Sequence, residues 1–98
     1  MPFSESDIVH DESRSRFYTI VEGQIAHLDY ERVDPRTLDF RHTWVPEDLR
    51  SRGIGRRLVR EALDRARSDG LRVIPSCSFV AAIVRRYPEY QDIVAETL

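Results

Sequence analysis

Two hydrophobic periods divide this chain. In the stretches Gln24–Arg32 and Thr37–Val45 one face repeats every second residue, and from Ile54 onward the apolar positions recur every three or four. Phe17-Tyr18-Thr19-Ile20-Val21 is β-branched and aromatic, Glu22-Gly23 supplies a turn, and the extended pattern resumes from Gln24 to Arg32. There Ala26, Leu28 and Tyr30 share one face while His27, Asp29 and Glu31 share the other, as a half-buried antiparallel strand requires. Asp34-Pro35 makes the next turn. Thr37 to Val45 reads as a third strand, with Leu38, Phe40, His42 and Trp44 on one face. Ile8 to Glu12 is a weaker candidate for a strand before these. Pro46 ends the pairing, because it has no amide hydrogen to give to a ladder.

Beyond Pro46, residues Ile54, Leu58, Val59, Ala62, Leu63 and Ala66 form one apolar stripe at helical spacing. Arg56, Arg57, Arg60, Arg65 and Arg67 lie mostly off it, and Glu61–Arg65 is a supporting pair four residues apart. Gly70 stands where a residue just past a helix end is expected. Leu71–Ile74 is then a short strand closed by Pro75. Cys77–Arg86 is a second helix stopped by Pro88, and Gln91–Leu98 reads as a helical tail. The order is a β-meander followed by strand, helix, strand, helix. A helical crossover makes the Thr37 and Leu71 strands parallel and right-handed. The class is therefore α/β (α+β) with a mixed sheet. At 98 residues the chain is one domain, 1–98, which buries roughly 60–70% of its unfolded surface.

Composition narrows the partners. No apolar run approaches the roughly 20 residues that cross a bilayer, and no secretory signal opens the chain, so a cytoplasmic protein with no membrane partner is expected. Cys77 is the single cysteine, which excludes an internal disulfide. With three scattered histidines it offers no structural zinc spacing, so no metal is expected. All 15 basic residues are arginine, a bias that a GC-rich genome explains. Residues 1–48 hold 11 acids and 5 arginines, net −6; residues 49–98 hold 6 acids and 10 arginines, net +4. The overall charge of −2 speaks against a general nucleic-acid binder, while the positive half suits one compact anion.

The stretch Leu49-Arg50-Ser51-Arg52-Gly53-Ile54-Gly55-Arg56-Arg57 concentrates that charge immediately before the helix. It could be a basic patch, an ordinary loop or a phosphate cradle. Amide hydrogens at a helix start lack partners and carry partial positive charge, which favours an anion. Gly53 and Gly55 let the backbone come close to it. The spacing is neither a P-loop nor a dinucleotide fingerprint, since the lysine of one and the third glycine of the other are missing.

Arg50-Ser51-Arg52-Gly53-Ile54-Gly55 fits the pattern Arg/Gln-x-x-Gly-x-Gly/Ala after a strand ending in Val45-Pro46, which resembles the acetyl-CoA pyrophosphate loop of the GNAT N-acetyltransferase superfamily. More narrowly the chain resembles the small single-domain GNAT-like proteins (the YjdJ-like group). His42-Thr43-Trp44-Val45-Pro46, the segment from Leu71 to Val80 and Arg86-Tyr87-Pro88-Glu89-Tyr90 extend the likeness. The resemblance implies a GNAT-like mixed sheet in which the strand before the loop and the next parallel strand splay apart to admit acetyl-CoA. Carried over, Thr43, Trp44 and Val45 contact pantetheine, and the run Arg50, Ser51, Arg52, Gly53, Ile54, Gly55 and Arg56 holds the pyrophosphate. Full-sized members carry further N-terminal helices and C-terminal strands that shape the acceptor pocket. This chain is shorter, which leaves its amine acceptor unidentified.

Three residues are candidates for the chemistry. Cys77 is either a small buried hydrophobe or, at a helix N-terminus near the implied thioester, a nucleophile forming an acyl-cysteine. His42 is either a hydrogen-bonded core histidine or the base that deprotonates an ammonium acceptor. Tyr87 is either a packing aromatic beside Pro88 or, as in many GNAT enzymes, the group that protonates the departing thiolate. The reading is an acetyl-CoA-dependent N-acetyltransferase, with a non-catalytic CoA-binding or protein-interaction module as the alternative.

Overall fold

The structure, a computed structural model, describes residues 7–95. Strands β1 (Val9–Asp11), β2 (Arg16–Val21), β3 (Gln24–Asp34), β4 (Thr37–Trp44) and β5 (Arg72–Ile74) form one sheet in sequence order. The first three pairings are antiparallel, and β4–β5 is parallel, as a helical crossover dictates. Helix α1 (Ile54–Ser68) makes that crossover, and α2 (Ser78–Arg86) follows β5. The β2–β3 turn places Glu22 and Gly23 at φ of 52° and 77°, the mirror-image turn whose twist matches a two-residue hairpin.

The alternation read from the sequence builds the core. Ala26, Leu28 and Tyr30 of β3 turn inward with Phe17 and Val21 of β2, against the α1 stripe of Leu58, Val59, Ala62 and Leu63. Each fully buried leucine here contributes about 1.5–3 kcal/mol. Helix α2 adds Val80, Ile83 and Val84 to the same core and lies against α1 and β4.

One expectation is overturned in β4. Leu38 and Phe40 are fully buried, but His42 and Trp44 do not share their face. The ladder pairs Tyr30 with Phe40 and Asp29 with His42, so Arg41 is an extra residue in β4. That bulge flips every later side chain. Thr43, opposite Leu28, now faces α1, while His42 and Trp44 join Asp29 and His27 on the opposite face. Both are exposed there.

A second correction concerns the tail. Residues Pro88–Ile93 form a short 3₁₀ turn, and the chain then becomes extended instead of continuing as a helix. Val94 bridges Val73 in parallel, and the Ala95 amide donates to the Val73 carbonyl at 2.8 Å. The otherwise open edge of β5 has backbone groups to satisfy, and this segment satisfies them. The end of the expected tail lies outside the described residues.

A partly buried histidine, His10, makes stability depend on pH. His10 stacks on Phe17 with ring centroids 4.1 Å apart, and its Nε2 lies 2.6 Å from the Tyr30 hydroxyl. Burial holds its pKa below the ordinary value of 6.5. Arg65 and Arg32 act in the same direction, while Glu12 and Asp69 oppose them. The folded state therefore keeps His10 neutral where the unfolded chain already binds a proton, and stability falls as pH drops below about 6.5. Thermal melts between pH 7 and pH 5 should show this loss, and His10→Gln should lose less. Parallel losses in both proteins would assign the dependence to other groups.

Candidate functional site

The site begins where the sheet divides. β4 and β5 pair only through Thr37–Asp39 and Arg72–Ile74. The Cys77 amide then donates to the Phe40 carbonyl at 2.9 Å, closing the fork. Farther out, the Val45 carbonyl accepts the Arg50 Nε–H at 2.8 Å. Between these two bonds the edge of β4 has no partner strand. Past β5 the chain swings away as α2, with Pro75 at the bend.

The loop that enters α1 is held by its neighbours. Glu47–Arg52 forms a 3₁₀ turn anchored by fully buried Leu49. The tip of the β2–β3 hairpin braces it through Arg52–Glu22 at 2.6 Å and Gln24–Asp48 at 3.0 Å. Gly53 then turns the chain at φ 75°, a left-handed conformation that suits glycine. The first bond of the helix to its own start runs from the Arg57 amide to the Gly53 carbonyl at 3.1 Å. The amides of Ile54, Gly55 and Arg56 therefore have no acceptor within the helix. Space at Gly55 is tight: a Cβ there would come within 3.2 Å of the Phe79 ring and 3.4 Å of Val45, so the Phe79 side chain would have to give way slightly.

A cleft of about 520 Å³ opens between the β4 edge, this loop and α2, within the size range of small-molecule sites. Thr43, Trp44, Val45, Arg50, Ser51, Gly53, Gly55 and Arg56 line it from one side; Phe79, Ile83, Arg86 and Tyr87 line it from α2 and beyond. Of the residues singled out for the loop, Arg52 and Ile54 do not reach it. Arg52 is turned toward Glu22, and Ile54 is buried in the core. Arg50 also stands 4.8 Å over the Trp44 ring. Phe79, Ile83 and Arg86 are additions that the sequence reading missed. Their spacing of four and three residues marks one face of α2, the only prior signal they carried.

Three arginines and no carboxylate line the cleft, so it is electropositive. Tyr87 feels this directly. Burial pushes its phenol up, but the Arg86 guanidinium beside it and the charges of Arg56 and Arg60 outweigh burial and hold it below the ordinary tyrosine value. Arg60 lies 3.9 Å over its ring and pairs with Glu89 at 3.1 Å.

The sheet separates the other two candidates. Cys77 is partly buried on the α1 side, its Sγ 3.6 Å from the Thr43 hydroxyl. His42 lies on the opposite face beside His27, their ring centroids 6.4 Å apart. His27 Nδ1 is 2.9 Å from the Asp29 carboxylate, and Asp29 stands directly across from His42. Asp39, on the same face at the fork, is about nine-tenths buried, and its Oδ1 has no hydrogen-bond partner. Its Oδ2 is 3.4 Å from Arg41, which binds Glu31 more closely at 2.8 Å. Among the described residues no group of three or more His, Cys, Asp or Glu is placed to hold a metal ion.

Comparison with known proteins gives this architecture a family. The sequence pattern of the GCN5-related N-acetyl-transferases matches residues 16–93, which span β2 through the final turn and include the whole cleft. The chain belongs to the GCN5-related N-acetyltransferase family. Among its relatives, Protein NATD1 of Xenopus tropicalis is 33% identical over 89 residues, covering 89% of this chain and 82% of that one. Protein NATD1 of Bos taurus is 35% identical over 83 residues, covering 83% and 74% respectively. The solution structure of a GCN5-like protein from Staphylococcus aureus superimposes with a TM-score of 0.73 at 28% identity, covering 98% of this chain and 94% of that one. This member of the family, like that structure, builds its fold on a mixed sheet with helices.

Proposed function

We propose that the chain binds acetyl-CoA in the cleft and transfers the acetyl group to an amine. The observation that carries this reading is the forked edge of β4 ending in a backbone anion cradle, with three arginines and no carboxylate around it. The pyrophosphate sits on the amides of Gly55 and Arg56, assisted by Arg50, and pantetheine runs along Thr43–Val45 toward the fork. The thioester then lies between Cys77 and Thr43 on the α1 side and His42 on the other.

The acceptor approaches from the His42 face. The cross-strand cluster of His27, Asp29 and His42, with the unpartnered Oδ1 of Asp39, suits a cationic amine. His42 takes a proton from the ammonium, and the freed lone pair attacks the thioester carbonyl carbon. The N–C bond forms and the C–S bond breaks, and water protonates the departing thiolate. The nitrogen sheds two protons in all, one to His42 and one to the water that protonates the thiolate, since Tyr87 stands at the far end of α2 beside Arg56 and Arg60. Holding the two reactants together supplies most of the acceleration.

Calorimetric titration with acetyl-CoA tests the donor. The wild type should bind in the micromolar range, and Gly53→Asp/Gly55→Asp, with side chains and negative charge in the cradle, should bind about 100-fold more weakly or not at all. A wild type that binds no acetyl-CoA in that range would sink the proposal. Release of CoA thiol across a panel of amines, peptides and polyamines separates turnover from binding alone.

A further inference from the structure

We infer that the acceptor is an amphipathic amine, with its ammonium at Asp29 and His42 and an apolar body lying across the side of the sheet that the helices leave open. This rests on the transfer reading above and deepens it. The register sorts that side into cross-strand rows. Ile20 and Ile25 form the first, next to the β2–β3 turn. Val9, Tyr18, His27 and Trp44 form the second, one from each of β1 to β4. Asp11, Arg16, Asp29 and His42 form the third, and Glu31 and Asp39 the fourth. Along β3, two residues or about 7 Å separate each row from the next. The border between apolar and charged therefore runs between His27–Trp44 and Asp29–His42.

Val9, Ile20, Ile25 and Trp44 are 40–52% exposed, and they are four of the six large apolar residues exposed among the described residues. Single exposed apolar residues need no explanation, but a contiguous patch marks a contact surface. Charge sets which end of a ligand goes where. Asp29 bonds His27 at 2.9 Å, and Arg16, directly across from it, leans over the Tyr18 ring at 5.3 Å instead of pairing with it. An ammonium is thus drawn to the third row, next to His42, and a hydrocarbon to the first two. Trp44 also lines the donor cleft, so the apolar rows start at the wall of the donor site. A cross-strand pair such as Ile20–Ile25 also stabilises a hairpin without any ligand. Threonine keeps the β-branching and removes much of the apolar surface, so Ile20→Thr/Ile25→Thr separates the two roles.

Primary amines from butylamine to octylamine decide the matter, with kcat/KM read from CoA thiol release at saturating acetyl-CoA. In the wild type each added methylene should raise kcat/KM about twofold, because a one-sided surface supplies about half the free energy of full burial, itself worth about fourfold per methylene. Octylamine should therefore exceed butylamine by about tenfold or more. A diaminooctane with amines at both ends, which lays a second ammonium over the isoleucines, should fall back to the butylamine level. Ile20→Thr/Ile25→Thr should lose most of octylamine's advantage, with acetyl-CoA affinity by calorimetry at the wild-type value as the sign of an intact fold. Equal kcat/KM along the series, or a preference for the diamine, would overturn the amphipathic acceptor and leave acetyl transfer standing. A gradient that persists in the double variant would overturn it too, by taking the apolar body off these rows. So would a dimer in sedimentation equilibrium that the double variant dissolves, which would give the open side to a second copy. A wild type that binds acetyl-CoA but transfers to no amine would remove the transfer reading, and this inference with it.

Discussion

Replacing His42 with alanine is expected to slow acetyl transfer by about 10²-fold or more, the usual worth of a positioned general base, with acetyl-CoA affinity nearly unchanged. The bulge at Arg41 is what makes His42 a candidate, because it carries the imidazole to the face opposite α1. There it meets solvent, Asp29 lies directly across, and a second imidazole is nearby. Cys77 has different surroundings. It lies on the α1 side of the sheet against the Thr43 hydroxyl, and no imidazole or carboxylate is bonded to its sulfur. Cys77→Ala is accordingly expected to keep transfer within about threefold of wild type, the change of a lost packing contact. Initial rates of CoA thiol release, with the best amine from the panel, measure both variants, and calorimetry measures cofactor affinity. A hundredfold loss in Cys77→Ala with little change in His42→Ala would route the acetyl group through the cysteine instead.

The same bulge marks where sequence reasoning stops. Alternation along β3 puts Ala26, Leu28 and Tyr30 on one face, and all three are buried. A two-residue period cannot report one inserted residue, and Arg41 carries no glycine or proline to announce it. Unbroken alternation puts His42 and Trp44 on the face of Leu38 and Phe40, which they do not share, and a polar Asp39 in such a strand gives no sign of its burial. The loop was more legible, because glycine spacing and a helix start act through the backbone. Which arginine serves the cleft was not, since Arg52 is diverted by Glu22 some thirty residues away on a hairpin tip. The end of the chain illustrates the same limit: residues after Ile93 follow the open edge of β5, a partner that local pattern does not reveal.

Phe40→Ala is expected to be the most destabilising single change near the site. The side chain is fully buried, with its ring centroid 6.1 Å from Phe17 and 6.4 Å from Tyr30. Truncation removes both aromatic contacts and leaves a cavity, which together cost about 3–5 kcal/mol. A domain of this size has about 5–15 kcal/mol in total, and each kcal/mol shifts its melting temperature by about 4–8 °C. The melting temperature should therefore fall by about 12 °C or more, whereas Phe40→Leu, which refills most of the space, should cost less than half as much. The consequence reaches the fork because the Phe40 carbonyl accepts the Cys77 amide, the bond that sets where α2 departs from the sheet. Core packing and cleft geometry thus meet in one residue, through its side chain on one side and its backbone on the other. Differential scanning calorimetry of the two variants, followed by acetyl-CoA titration of Phe40→Leu, checks both. A Phe40→Ala protein that melts within about 3 °C of wild type would show that the core relaxes around the loss, contrary to the close packing on which the shape of the cleft depends.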